Sequence, residues 1–418
     1  MDSTPEQLRF ASNPGRSIRA DFAGGGLSSD LGPLLLKGVD HQIGLTERVC
    51  AAINDTRHPG YITHSLHDIL KQRLYQIASG YEDGNDCNSL RHDPVFRLGV
   101  GAKPFDTDEA EGALASGSTI SRFEHAVDSK DIYRLSEALV DQFIAGYASP
   151  PEALVLDIDH SEDAAYGQQP LAFYNHYYQS TCYLPLMVFE GLSGALVAAV
   201  LRPGKRPTGA ENAMILKRVL KRIRAHFPTT QILVRGDGHF STPELMAMID
   251  AMAHTDFIFG LPSNAVINRL AEPAMQRACA LWGEVQAQEV VRDAVRLYAE
   301  FRYAAASWHR PLRVVQKAEV MGLGDNPRFV VTSLEAPEPT RVYEELYCAR
   351  GQAENWIKHL KAELASDRTS CTTFLANFMR LLEHAAAYVL HQQLRTQVLQ
   401  HTELAQAQPS TVITKLFK

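Results

Sequence analysis

The sequence predicts an α/β fold in which one mixed sheet is flanked by helices, and three observations carry that prediction. Three strand-like runs follow one another with no helix between them, Ala153 to Ile158 (ALVLDI), Cys182 to Glu190 and Ala195 to Leu201, so they must pair antiparallel. Two further runs, Gln231 to Arg235 (QILVR) and Asp256 to Leu261 (DFIFGL), alternate with helical patterns, which makes the sheet mixed. Residues 285–340 then become strand-rich again before helix resumes from Arg341 to about Leu364 and from Thr373 to Gln393.

In chain order, residues 1–104 read as a separate, mainly helical N-terminal module in which Ile69, Leu70, Leu74 and Ile77 mark one apolar helix face. Residues 105–150 form a helical connector. There Ser129 is expected to cap a helix carrying Ile132, Leu135, Leu139, Phe143 and Ile144 at helical spacing, and the break Ser149-Pro150-Pro151 ends it. The first part of the sheet core spans 151–284, with Leu184 to Leu201 reading as two buried strands joined by a glycine turn. Ala213, Leu216, Leu220 and Ile223 give a helix over 208–226, and Ser241, Pro243 and Glu244 give a capping box for the next. A β-rich insertion (285–340), a second core part (341–400) and a tail (401–418) complete the division.

Composition narrows the function. With 45% hydrophobic and 21% charged residues over 418 positions, the chain has material for one large or several ordinary cores, which excludes a disordered or collagen-like protein. Six scattered cysteines without a CxxC pair indicate neither a zinc ribbon nor a disulfide scaffold and fit a reducing cytosol. The start MDSTPEQLRF lacks the basic and apolar parts of a signal peptide, and no run of 18 uncharged apolar residues occurs, so neither secretion nor membrane spanning is expected. A net charge of −7 argues against a general nucleic-acid binder, yet the charge is segregated. Arg202, Lys205, Arg206, Lys217, Arg218, Lys221, Arg222 and Arg224 crowd one stretch against Glu211 alone, while Asp83 to Glu111 is acidic.

Two carboxylate motifs end strands. Leu-Asp157-Ile-Asp159-His160-Ser161 places two acids on one face of an otherwise apolar run, where a carboxylate is costly unless paired or metal-bound. Arg235-Gly236-Asp237-Gly238 ends another strand with glycines that permit a tight turn. Strand ends are where open α/β sheets bind ligands. Either motif alone is equally a turn or cap. Tyr347, Arg350, Glu354 and Lys361, at helical spacings of three, four and seven, share one side of a helix beside the apolar stripe Leu346, Ala353, Ile357, Leu360 and Leu364. A solvated helix edge is the plain alternative. Arg as a phosphate fork, Lys as a point charge, Tyr as a donor and Glu as a hard oxygen for Mg²⁺ together suit phosphoryl chemistry.

At these residues the sequence resembles DDE-type transposases of bacterial insertion sequences that bear a Tyr, Arg, Glu and Lys signature, which Tyr347, Arg350, Glu354 and Lys361 match at every spacing. The wider pattern of LDIDHSED, YGQQPLAFYNHYYQSTCYLPLMVFEG, LRPGKRPTGA, ILVRGDGHFSTPEL and RGQAENWIKHLK is similar to the insertion-sequence family numbered 1380, over roughly 10 to 400. The resemblance implies a ribonuclease-H-like core whose Asp237, Glu354 and a first Asp hold two Mg²⁺, with Mn²⁺ able to substitute. Asp159 suits the first position better because His160 and Ser161 follow it, and Asp157 is the alternative. It also implies that Tyr347, Arg350 and Lys361 hold phosphates of the element's end. Lys217, Lys221 and Arg224 on the basic helix would track DNA backbone, the N-terminal module would recognise terminal inverted repeats, and a homodimer would act on them and on target DNA near the bacterial nucleoid. The chain ends early for that group, which raises the expectation of a truncated copy.

Two rival classes share these residues: an inactive or domesticated DNA-binding derivative such as a repressor, and a metal-dependent nuclease that cuts without joining. Trp308 in the insertion is a candidate for stacking on a flipped base, with packing as its alternative. Trp356 points away from the clamp, and His160 and His239 read as solvated or supporting residues.

Overall fold

The computed structural model describes residues 8–9, 19–20, 28–102, 113–288 and 293–418. The acidic stretch noted above lies partly outside these residues. Eight strands form the spine of the main sheet: β1 (Ala153–His160), β2 (Leu186–Glu190), β3 (Leu196–Val200), β4 (Gln231–Gly236), β5 (Thr255–Gly260), β6 (Ala294–Tyr303), β7 (Leu312–Met321) and β8 (Arg328–Thr332). Their spatial order is β6-β7-β8-β5-β4-β1-β2-β3, and a ninth short strand, Gly324–Asp325, pairs with β7. The β1, β4 and β5 strands are parallel, and every other pairing on the path is antiparallel.

The strand-rich insertion therefore continues the main sheet. The β5 strand would end the sheet with unpaired amides, and β8 covers it with Ile258 opposite Thr332 and Gly260 opposite Val330. The run from Cys182 to Glu190 also divides at Leu184-Pro185. Its first half, Ser180–Tyr183, joins a separate three-stranded sheet with Asp163–Ala164 and Phe173–Asn175, and its second half is β2. Proline, with no amide proton, cannot continue a central ladder.

Alternation along the strands sends side chains to two cores. Leu154, Leu156 and Ile158 of β1 pack with Leu216, Leu220 and Ile223 of helix Gly209–His226 and with Leu245 and Ile249 of helix Pro243–Asp250. Asp157 and Asp159 consequently point to the opposite face. On that face Met187, Phe189, Leu196 and Ala199 pack with Leu382, Ala385, Ala386 and Tyr388 of helix Phe374–Gln393. The same core includes Ile69, Leu70, Leu74 and Ile77 of helix Leu66–Ala78, so the N-terminal helices share their interior with the end of the chain. Phe417 is buried against Gly32.

Two caps differ from expectation. Asp128, not Ser129, caps helix Ser129–Ala145, because Asp128 and Asp131 bond each other's backbone amides reciprocally. The Ser241 hydroxyl donates to the Gly238 carbonyl instead of capping helix Pro243–Asp250. No helix among the described residues is long and apolar enough to cross a membrane.

Candidate functional site

Because β1 and β4 are parallel neighbours, Asp159 near the end of one and Asp237 just past the end of the other emerge at the same edge of the sheet. The helical segment Arg341–Glu363 lies over that edge on the face that carries Asp157 and Asp159. It is not a uniform α-helix. Wide five-residue turns at Arg341–Tyr347 and His359–Glu363 flank a tight turn at Cys348–Gly351 and a short α-helix at Gln352–Lys358. The segment docks closely on β5: a Cβ on Gly260 would stand 2.7 Å from the Tyr347 hydroxyl. Only glycine permits that approach.

Asp157 and Asp159 have different environments. The carboxylate of Asp157 is wholly buried and accepts two hydrogen bonds from Arg235, Nε at 2.6 Å and Nη2 at 2.8 Å. Arg235 is its direct neighbour across the β1–β4 pair, and its Nη1 donates to the Leu346 carbonyl 2.7 Å away. This trio fastens both strands to the overlying segment. Arg235 had no role assigned from sequence; a buried Arg two residues before Asp237 on a parallel neighbour is the signal that locates it.

Asp159 faces Arg350. Arg350 Nη1 lies 3.1 Å from Asp159 Oδ2, and Nη2 lies 3.6 Å from Glu354 Oε1. Burial pushes the Asp159 carboxyl up to about 6; Arg350 opposes that shift, and the charges of Asp237 and Glu354 add to it. Asp237 accepts from the His239 amide at 2.9 Å and has the His239 ring Nδ1 3.2 Å away. Exposure of the side chain rises from 19% at Asp159 through 31% at Asp237 to 68% at Glu354, so the group opens outward from the sheet. His160, beside Asp159, stacks on Phe240 at 4.8 Å and contacts Asn212, and burial lowers its pKa to about 3. It is therefore neutral.

Lys361 reaches the same face about two turns beyond Glu354, where its ammonium donates to the Glu162 carbonyl. Next to it Asp163 is fully buried with no hydrogen-bond partner for either oxygen among the described residues, and burial pushes its carboxyl up to about 8.

The basic stretch is less basic in space than in sequence. Arg222 forms a two-bond pair with Asp141 at 2.7 Å, Arg202 pairs with Glu211, and Arg218 lies over the Tyr133 ring. Arg224 donates to the carbonyls of Phe227, Thr230 and His254 and to the Thr255 hydroxyl. Lys217 and Lys221 stay exposed, as do Lys205 and Arg206 in the preceding loop. Trp308 meets Tyr303 edge-on at 5.1 Å and packs against the core, and Trp356 packs on Phe189 and Gly194.

Residues 10–418 match the family described as Transposase DDE domain group 1. The chain belongs to that family. No curated protein matches it. Among solved structures it is similar to a piggyBac transposase in a synaptic complex with hairpin DNA, at 12% identity over 88% of this chain and 76% of that one, with a TM-score of 0.41.

DDE transposases generally use divalent metal ions. Among the described residues of this DDE domain no three His, Cys, Asp or Glu side chains converge as a ready-made metal site. The donor chemistry nevertheless fits: Asp159, Asp237 and Glu354 supply hard carboxylate oxygens at one sheet edge, and a side-chain cation, Arg350, already lies among them.

Proposed function

We propose that this protein is an insertion-sequence transposase, akin to the family numbered 1380, that cuts DNA at the ends of its element and joins them to target DNA. In this reading the sheet β3-β2-β1-β4-β5 with its covering helices is a ribonuclease-H-like core, extended by the insertion strands β6 to β8. The observation that carries the reading is the meeting of Asp159 and Glu354 on one guanidinium, with Asp237 beside them at the ends of parallel strands.

Asp159, Asp237 and Glu354 would hold the divalent ions, Mg²⁺ or Mn²⁺, whose chemistry is to make water or a DNA 3′-hydroxyl nucleophilic and to neutralise the leaving oxygen. The remaining roles belong to the chain. Asp157 and Arg235 fix the two strands and the overlying segment, so the three carboxylates arrive from a rigid frame. Arg350, at 14% side-chain exposure, presents a fork suited to a phosphate and would exchange its carboxylates for the scissile-end phosphate as DNA enters. Tyr347 and Lys361 flank it as further donors, and the His239 amide and ring orient Asp237. Exposed Lys217 and Lys221 suit sequence-independent contact with duplex backbone, whereas Arg224 stays engaged with loop carbonyls. The N-terminal helices are the proposed readers of the terminal repeats, and a homodimer is the proposed acting form.

The test is incubation of the full chain with a labelled element end, Mg²⁺ or Mn²⁺ and a plasmid target. Nicked ends together with joined products support transposition. Cut ends without joining indicate a nuclease, and tight binding without cutting indicates a DNA-binding derivative.

A further inference from the structure

A pocket of about 500 Å³ lies beside the carboxylates, between the hairpin Phe173–Tyr183 and the loop 202–207. Its size is within the roughly 300–1,000 Å³ of small-ligand sites. We propose that this pocket holds an unpaired nucleotide of the DNA end, its base stacked on the hairpin tyrosines and its phosphate against Lys205 and Arg206. The proposal rests on the reading of the chain as a DNA-cleaving protein and adds a subsite to it.

The first support is an exposed aromatic surface. Tyr174, Tyr177 and Tyr178 fall within five residues and are 51%, 80% and 37% exposed. Large rings left in water at this density mark an interaction site. They are also held in place. The Asn175 side chain accepts the Tyr177 amide at 2.9 Å, the Tyr177 and Tyr178 rings meet edge-on at 4.9 Å, and the Tyr174 hydroxyl donates to Gln179 at 2.9 Å. Rings fixed beforehand lose little freedom when a base stacks on them.

The second support is charge. Lys205 and Arg206 form the other wall, exposed and in no ion pair among the described residues. The Lys205 ammonium lies 4.4 Å from the centre of the Phe173 ring, which leaves it free for an anion. The loop is seated by Gly204, whose amide donates to the Leu171 carbonyl and where a Cβ would stand 1.9 Å from the Cys182 carbonyl oxygen. No other residue fits there, so the loop that carries the cations is seated directly on the hairpin that carries the tyrosines.

The third support is position. The pocket's inner wall includes His160, which follows Asp159, and His239, which contacts Asp237. A strand whose phosphate rests at the carboxylates thus has a neighbouring nucleotide at the mouth of the pocket. A paired base cannot enter a concave site of this kind, whereas an unpaired one can, and stacking accepts any base. The motifs that build the pocket, LAFYNHYYQS and LRPGKRP, have no other role in the proposed chemistry. Trp308, the stacking candidate in the insertion, packs against Tyr303 instead.

The test compares a blunt duplex with the same duplex carrying a four-nucleotide overhang that contains 2-aminopurine, with EDTA present so that nothing is cut. The wild-type chain should bind the overhang about tenfold more tightly than the blunt end, with quenching of the 2-aminopurine emission as it stacks. Tyr177→Ala should remove most of that preference and the quenching, and Tyr177→Trp should keep both. Tyr177 is surface-exposed, so thermal melting should be unchanged. Binding of both duplexes with no overhang preference would overturn the pocket and leave the DNA reading intact, as would a Tyr177→Ala, Tyr178→Ala double variant that behaves like wild type. Binding of neither duplex would overturn the DNA reading and the pocket with it.

Discussion

Arg350 stands 3.1 Å from Asp159, so the most enclosed carboxylate of the site is neutralised by a side chain of the same segment that carries Glu354. An ion pair at a solvated helix edge is worth only about 0–1 kcal/mol and would leave catalysis untouched. A guanidinium that takes up a scissile phosphate behaves differently. Arg350→Ala should reduce single-turnover cleavage by roughly 10²–10³-fold with little change in thermal melting. Wild-type rates in the folded variant would return Arg350 to a packing role.

The carboxylates themselves should separate binding from cutting. Asp237→Ala and Glu354→Ala should each abolish Mg²⁺-dependent cleavage while duplex affinity, measured by fluorescence anisotropy, stays within a few-fold of wild type. Persistent cleavage in either variant would remove that residue from the site.

Asp157 and Asp159 should fail in different ways. Removing Asp157 leaves Arg235 buried without its partner, and breaking a buried pair costs on the order of 3–5 kcal/mol, so Asp157→Ala should unfold at clearly lower urea. The double change Asp157→Leu with Arg235→Met should recover much of that loss. Asp159→Ala should fold normally and be inactive. A stable, inactive Asp157→Ala would instead make Asp157 the metal ligand.

Lys217 and Lys221 project into solvent, whereas Arg224 is hydrogen-bonded to the chain. Each Lys→Ala should weaken binding to any duplex and lower the slope of log affinity against log salt by about 0.9. Arg224→Ala should lower the melting temperature and leave the slope unchanged. Equal slopes for all three variants would remove this helix from the DNA path.

Asp163 gives a dependence on pH. Burial raises its folded carboxyl to about 8, against about 3.9 in an unfolded chain, with Lys361 opposing the shift and Asp367 and Glu162 adding to it. A raised folded value means that its contribution to stability is complete below about pH 4 and is lost as pH rises towards 8. Asp163→Asn removes the titration. Relative to wild type, the variant should therefore gain on the order of 2–4 kcal/mol between pH 5 and pH 8 in urea unfolding. A constant difference across that range would show that Lys361 keeps Asp163 ionised.

Much of this site can be read from local pattern, and the remainder depends on neighbours that no local pattern contains. Asp237 follows from a strand end bracketed by glycines, and Glu354 from its spacing to Tyr347 and Arg350. The two-residue period cannot divide Asp157 from Asp159, since it puts both on one face; the distinction comes from Arg235, which is beside Asp157 only once β1 and β4 pair. The excess of positive charge from Arg202 to Arg224 is likewise a property of the sequence alone. Asp141 and Glu137 of another helix neutralise Arg222, and backbone carbonyls absorb Arg224. Strands in the insertion are evident from their β-branched and aromatic residues, but their merger with the main sheet depends on the open edge of β5.

The shared interior of helices Leu66–Ala78 and Phe374–Gln393 has a consequence for how the protein is made. The two helices are about 300 residues apart, so at roughly 5–20 residues per second the ribosome needs about 15–60 s to deliver the second after the first. Throughout that interval helix Leu66–Ala78 has only its N-terminal neighbours, and the side that packs on Phe374–Gln393 lacks its partner. The nascent chain must spend most of its synthesis with an uncovered apolar face, which makes it a client for chaperones and prone to aggregate when expressed quickly.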